Sequence, residues 1–194
     1  MKICARAYVE AGIAHLTPPP PVLAAVGGLS GSGKSTFARA IASGLGASPG
    51  AVILRTDEVR KRLWGVAPTA RLGPDAYTAE AHRRTHDELF ANARDLLAAG
   101  VSVVLDATFL DGAERSRAAQ VAAAAGVPFC PAWLDAPLAV LEARITARSG
   151  DASDATIAVL RDQAERTAGV VDWPYVDAEG PAADAVRTWQ TSVI

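Results

Sequence analysis

Eight residues constrain this chain more than any others: Gly28-Leu-Ser-Gly-Ser-Gly33-Lys34-Ser35 stands between an apolar run and a helix-forming stretch. The pattern G-x-x-x-x-G-K-[ST] is matched at Gly28, Gly33, Lys34 and Ser35. Glycines let backbone N–H groups converge on phosphate oxygens, and a helix start adds its positive end and its free N–H groups. Gly28, Ser30, Gly31, Ser32, Gly33, Lys34, Ser35 and Thr36 are therefore expected to cradle the phosphates of ATP. Lys34 would reach the β- and γ-phosphates, and the Ser35 hydroxyl would ligate Mg²⁺. The plain alternative is a Gly/Ser turn that only caps a helix; the strand before it and the helix after it argue against that.

The rest of the chain alternates strand and helix. Val22–Val26 is a short, wholly apolar strand, and the helix after the glycine loop runs to about Leu45. A second strand covers Ala51–Leu54, Asp57 begins a short helix, and a helix of some twenty residues ends near Ala99-Gly100. Val101–Leu105 is the third strand and ends in Asp106; an Ala-rich helix follows over about 112–125. The fourth strand is Val127–Leu134, with Asp135-Ala-Pro137 opening a helix that carries Arg144 and Arg148 and breaks at Ser149-Gly150. Ser153 or Asp154 caps a further helix to about Thr167, Val176-Asp177 belongs to a last short strand, and a helix ends the chain. Such alternation predicts an α/β domain with a parallel sheet covered by helices on both faces. Pro18–Pro21 reads as a stiff linker, so residues 1–21 are a helical extension and residues 22–194 the domain.

At 194 residues, half of them hydrophobic, the chain suits one well-buried domain. A formal charge of −2 argues against nucleic acid and anionic membrane as partners. No apolar run is long enough for a membrane span, and the first residues lack a signal-peptide pattern. Cys4 and Cys130 lie far apart without metal-ligand spacing, which fits a reducing cytoplasm.

A nucleotide loop leaves the reaction open. Asp106, at the end of an apolar strand, is the natural second carboxylate for Mg²⁺. Ala107-Thr108 follow it, with no adjacent Glu to activate water, and no Asn-Lys-x-Asp segment reads guanine. Both absences favour transfer to a bound acceptor over hydrolysis. After the second strand, Asp57 can orient a substrate hydroxyl or take its proton, with Arg60 one helical turn on. Asp57 reads equally as a helix N-cap, and Arg60-Lys61-Arg62 as a solvated face. Arg144 and Arg148, four apart, can fold over a transferring phosphoryl group or form a surface pair. His82 and His86 have zinc-like spacing without a third ligand, so a cleft wall or a solvated face is the plainer reading. Trp64, Trp133, Trp173 and Trp189 are scattered and read as core or lid residues.

Four segments together resemble one family: Gly27–Thr36, Arg55-Thr-Asp57-x-x-Arg60-Lys61, Val104-Leu-Asp106-Ala-Thr-Phe109 and Ser149–Ala155. It is the zeta-toxin/polynucleotide-kinase-like group of P-loop kinases, AAA-type ATPases. The nearest likeness is to the C-terminal kinase domain of proteins whose N-terminal half is aminoglycoside-phosphotransferase-like. The resemblance runs from about residue 20 to the end, and the stretch before the prolines looks like the tail of such a partner domain. It implies a five-stranded sheet in the order 2-3-1-4-5 with a small lid. It implies further that Asp57 faces the acceptor hydroxyl with Arg60 as its companion. By the same likeness Arg144 and Arg148 are lid arginines with 149–154 as the lid turn, and the loop after Val176-Asp177 lies by the adenine.

The leading expectation is an ATP- and Mg²⁺-dependent kinase whose acceptor is a hydroxyl of a small molecule: a sugar, an antibiotic or a nucleotide-like compound. Arg55, Arg60, Lys61, Arg62, Arg83 and Arg84 point to an anionic one. A 5′-hydroxyl polynucleotide kinase, a zeta-toxin-like nucleotide-sugar kinase and an ATP-binding regulatory module are the alternatives.

Overall fold

The computed structural model describes residues 18–147, 153–167 and 171–193. The expected helix before Pro18, the break at Ser149-Gly150 and Arg148 lie outside the described residues. Five strands form one sheet: β1 (Leu23–Gly28), β2 (Val52–Arg55), β3 (Val103–Asp106), β4 (Phe129–Asp135) and β5 (Tyr175–Asp177). All neighbours pair parallel, in the order β2-β3-β1-β4-β5. Seven α-helices are described: α1 (Lys34–Ala42), α2 (Thr56–Leu63), α3 (Ala79–Ala98), α4 (Gly112–Ala125), α5 (Leu138–Ala147), α6 (Ile157–Arg166) and α7 (Ala182–Val193). A 3₁₀ turn at Pro74–Tyr77 precedes α3.

The strands are apolar on both faces because helices cover both faces. Alternate residues of β1 serve opposite layers. Leu23 and Ala25 join Leu89, Phe90, Phe109, Trp133 and Trp173 on the α3–α4 side. Ala24 and Val26 join Phe37, Ile41, Leu134 and Trp189 on the α1–α7 side. There Phe37 and Trp189 meet edge to face, 5.8 Å between ring centres, and Trp189 Nε1 donates to the Pro131 carbonyl.

The first four strands each start one or two residues later than expected, β3 at Val103 and β4 at Phe129 instead of Val101 and Val127, and two helix boundaries move for physical reasons. The first helix ends at Ala42, not near Leu45, and Gly44 and Leu45 continue it only as single turns on Ile41 and Ala42. The cap of α6 is Thr156, whose hydroxyl accepts from Val159 N–H, and neither Ser153 nor Asp154. Asp154 is engaged elsewhere: it accepts from the Tyr77 hydroxyl at 2.6 Å and from Leu72 N–H at 3.3 Å.

Candidate functional site

The site forms at the carboxyl ends of the strands, where the register draws chemistry together. Val26 of β1 and Arg55 of β2 both stand opposite Asp106 of β3, so β1 delivers the glycine loop beside that carboxylate. Gly31 and Gly33 hold φ of +85° and +88°, a left-handed geometry that side chains disfavour. A Cβ on Gly31 would also stand 2.7 Å from the Leu141 carbonyl. Gly33 is the N-cap of α1 and offers no side chain to its free N–H groups, so that helix end is open to an anion.

The loop's polar groups converge. Lys34 Nζ donates to the Leu29 carbonyl at 2.8 Å, folding the ammonium back over the loop. Ser35 Oγ donates to Asp106 Oδ2 at 2.6 Å, and Arg55 Nε donates to the same oxygen at 3.1 Å. The Ser32 hydroxyl is buried without a partner. These groups, hydroxyl and carboxylate oxygens beside an ammonium and an uncapped helix start, fit a nucleotide phosphate with a hard cation such as Mg²⁺. A cavity of about 380 Å³ opens over the glycine loop and the start of α1, of a size suited to a small ligand. Its lining includes Thr36, Arg39 and Arg144, with Ala178 and Gly180 from the loop after β5. Arg144 Nη2 donates to the Glu179 carbonyl at 2.9 Å, so it spans from α5 to that loop.

On the other flank, Asp57 and Arg60 lie in α2. Asp57 is not the cap of its helix: α2 starts at Thr56 with Arg55 as N-cap, and Asp57 sits half-buried in the first turn. Burial raises its pKa above the ordinary value and the Asp106 charge raises it further, while Lys34, Arg55 and Arg60 pull the other way. Arg60 is buried, not solvated; its Nη1 donates to the Ala76 carbonyl at 2.7 Å and its guanidinium lies 5.1 Å from the Tyr77 ring centre. Its Nε has no partner. Burial lowers the Arg60 pKa, with Asp57 acting against the shift.

Most of the rest of the expected basic patch is paired with acids, two of them brought from distant segments. Lys61 is buried 3.6 Å from Asp154, Arg62 pairs with Glu88 at 3.7 Å, Arg83 with Glu80, and Arg84 is exposed. Arg60 is thus the cation of this group that the fold leaves with carbonyl and aromatic partners. His86 is buried rather than solvated, and burial holds its imidazole down to about 4.

Two long-range contacts, one onto the glycine loop and one onto the segment after Asp106, carried no sequence signal. Gln163 of α6 accepts from Ser30 N–H at 2.9 Å, reaching the glycine loop across 133 positions. Arg115 donates to the Phe109 and Leu110 carbonyls at 2.9 and 3.1 Å and to Asp172 at 2.8 Å. It braces Phe109, a non-glycine residue at φ +50°.

Residues 23–169 match the AAA domain family AAA_33. An uncharacterized protein of Mycobacterium tuberculosis, Rv2004c, is 36% identical over 194 residues, covering 92% of this chain. The chain spans 37% of the length of that relative. An adenylyl-sulfate kinase of Myxococcus xanthus is 36% identical over 117 residues, 60% of this chain and 59% of that protein. Among solved structures, a gluconokinase from Sinorhizobium meliloti superposes with a TM-score of 0.58 at 24% identity, over 90% of this chain and 93% of its own. The Mycobacterium tuberculosis APS kinase in complex with AMPPNP and APS gives 0.60 at 21% identity, over 90% and 96%. No helix among the described residues is long and apolar enough to cross a membrane. With its phosphate loop, its 2-3-1-4-5 sheet and these relatives, the chain belongs to the AAA domain family AAA_33 and has the P-loop kinase fold.

Proposed function

We propose that this domain moves the γ-phosphoryl group of ATP to a hydroxyl of a small-molecule acceptor. The observation that carries the reading is Asp57: a half-buried carboxylate, raised in pKa, within the electrostatic reach of Asp106, Lys34 and Arg60. A half-buried carboxylate that interacts electrostatically with Lys34 of the phosphate loop and with Arg60 suits a general base. In this reading Asp57 accepts the acceptor's hydroxyl proton as its oxygen bonds to the γ-phosphorus and the bond to the β-phosphate oxygen breaks. Lys34 and the N–H groups of the loop hold the phosphates, and Arg60 orients the acceptor. Mg²⁺, held by Ser35 and Asp106, supplies charge neutralisation at the β- and γ-phosphates when bound. Arg144, which lines the cavity, serves as a lid arginine over the phosphoryl group, and the family resemblance gives Arg148 the same role. The loop after β5, at Ala178 and Gly180, receives the adenine.

The acceptor class is a sugar, an antibiotic or a nucleotide-like compound. The Myxococcus adenylyl-sulfate kinase relative favours including nucleotide-like acceptors, and Arg60 an anionic group on them. We place the reaction in the cytoplasm, carried out by a domain spanning 22–194. On the family resemblance of the sequence, a phosphotransferase-like domain is proposed as its fused or separate partner. The test is ADP release over a panel of sugars, aminoglycosides, nucleosides and nucleotide sugars. Acceptor-dependent turnover that Asp57→Asn abolishes while ATP still binds is the expected result. Unchanged transfer in Asp57→Asn, or ATP binding with only slow hydrolysis across the panel, overturns it; the second outcome is that of a regulatory module.

A further inference from the structure

His82 and His86 stand four apart on α3, so both rings leave the same helix face, and their centres lie 4.4 Å apart. The fold supplies what their spacing lacks. Glu114, in the first turn of α4, brings Oε1 to 2.5 Å from His82 Nε2 and 3.6 Å from His86 Nδ1. One ligand atom from each residue lies within 4.8 Å of the other two. We propose that His82, His86 and Glu114 form a binding site for a zinc-class divalent cation that clips α3 to α4.

Two imidazoles and a carboxylate are the donor set of three-ligand zinc sites, with a fourth position left to water. Ligand atoms around a tetrahedral ion sit about 3.4 Å apart, given metal–ligand bonds near 2.1 Å. The His86–Glu114 separation of 3.6 Å already meets that spacing, and His82 must withdraw from Glu114 by about 1 Å. It can do so, since its side chain is 43% exposed whereas that of His86 is 4% exposed.

A hydrogen-bonded His82–Glu114 pair accounts for two of the three residues and leaves the third unexplained. His86 Nδ1 is buried, has no hydrogen-bond partner and faces the Glu114 oxygen. A buried, unsatisfied ring nitrogen is costly unless something binds it. Burial favours the neutral ring, which is the form that donates a lone pair to a metal. His86 is held in place by Phe90 and Phe109, with ring centres 6.0 and 6.3 Å away, so the ligand is oriented before an ion arrives. Arg60 and Arg117 also act on His86 from neighbouring elements. Their charge opposes a cation, so Glu114 must carry the local compensation, and its loss is expected to matter most. The preference is for zinc-class ions over Mg²⁺ because imidazole nitrogen is a softer donor than the oxygens that magnesium takes.

The test uses tag-free full chain in a His15→Ala background, stripped with chelator and held with ADP and excess Mg²⁺ to fill the phosphate-loop site. Co²⁺ is titrated by its visible ligand-field absorption, and Zn²⁺ is then added in competition. One saturable equivalent with a tetrahedral spectrum, displaced by Zn²⁺, is expected, together with a Zn²⁺-dependent rise in Tm. His82→Ala and Glu114→Gln should each weaken binding about tenfold or more and remove the rise, with circular dichroism showing both folded. No saturable Co²⁺ binding overturns the proposal, as does binding of equal strength in both variants or an octahedral spectrum. Because binding and Tm are read without turnover, this result is separate from whether the domain is a kinase.

Discussion

Ser35 Oγ and Asp106 Oδ2 lie 2.6 Å apart, joining the first turn of α1 to the end of β3 across 71 positions. The same carboxylate oxygen takes a second hydrogen bond from the buried Arg55, at 3.1 Å. Asp106 therefore has a structural task beside any metal task. Breaking a buried pair from one side leaves an uncompensated charge, which costs more than removing both partners. Asp106→Ala is expected to destabilise by about 3 kcal/mol, the lower end for such a break, because Glu58 still accepts from Arg55 Nη1 at 3.0 Å. For a domain of this size that is a Tm loss of roughly 6–12 °C. Arg55→Met combined with Asp106→Ala should recover most of the loss in thermal or urea melts, without recovering activity. A double variant as unstable as the single one would place the cost elsewhere.

Asp57 leads to a prediction in which stability and activity move in opposite directions. Its folded pKa is raised above the unfolded one, chiefly by burial and next by Asp106. The native state then holds its proton to higher pH than the unfolded state, so this group's contribution to stability falls as pH rises through that window. At neutral pH the buried carboxyl group is a net cost to the fold. Asp57→Asn should thus raise Tm at pH 7, each 1 kcal/mol relieved appearing as roughly 2–4 °C, and the gain should shrink in acid. Phosphoryl transfer should fall by about 10²-fold or more. The wild-type rate should decline on the acid side with an apparent pKa above that of an ordinary Asp. A variant that loses both Tm and activity would make Asp57 a structural residue.

Gly31 and Gly33 share a left-handed backbone and differ in their surroundings, which separates two costs. Gly33→Ala meets nothing within 4 Å, so it bears only the backbone penalty, about 1–2 kcal/mol. Gly31→Ala adds a Cβ at 2.7 Å from the Leu141 carbonyl and 3.2 Å from Ile145, and must push α5 away. Melts should rank Gly31→Ala below Gly33→Ala by a further 1 kcal/mol or so. Since α5 carries Arg144 at the cavity edge, ATP affinity should also fall more in Gly31→Ala, read by nucleotide titration.

The glycine-loop geometry was legible because its signal is contiguous. Gly28 through Thr36 form a contiguous strand–turn–helix junction, and Asp106 announces itself by ending an apolar strand. The strand and helix alternation was equally readable, whereas the order 2-3-1-4-5 came from resemblance and not from periodicity. What escaped the sequence depends on distant partners. Lys61 and Arg62 look like free cations until Asp154 and Glu88 are folded against them. Asp154 looks like a helix cap until Tyr77 and Leu72 claim its carboxylate, leaving Thr156 to cap α6. The His82–His86 pair lacks a third ligand only along the chain, since Glu114 arrives from the next helix. Gln163 above the glycine loop belongs to the same class.

Arg60 tests the acceptor side. Its guanidinium is buried against Tyr77, holds the Ala76 carbonyl at 2.7 Å, and keeps Nε without a partner. If that fork orients an anionic acceptor, Arg60→Met retains the apolar stem and loses the charged hydrogen bonds, worth about 1.5–3 kcal/mol. The acceptor KM should then rise about 10- to 100-fold while the KM for ATP stays within about twofold. Arg60→Lys should restore little, because an ammonium can neither reproduce the planar fork nor stack on Tyr77 in the same way. Steady-state kinetics with each substrate varied in turn separates the effects, and a thermal melt reports the structural share carried by the Ala76 bond. An unchanged acceptor KM with a lowered Tm would reduce Arg60 to a brace between α2 and the 74–77 turn.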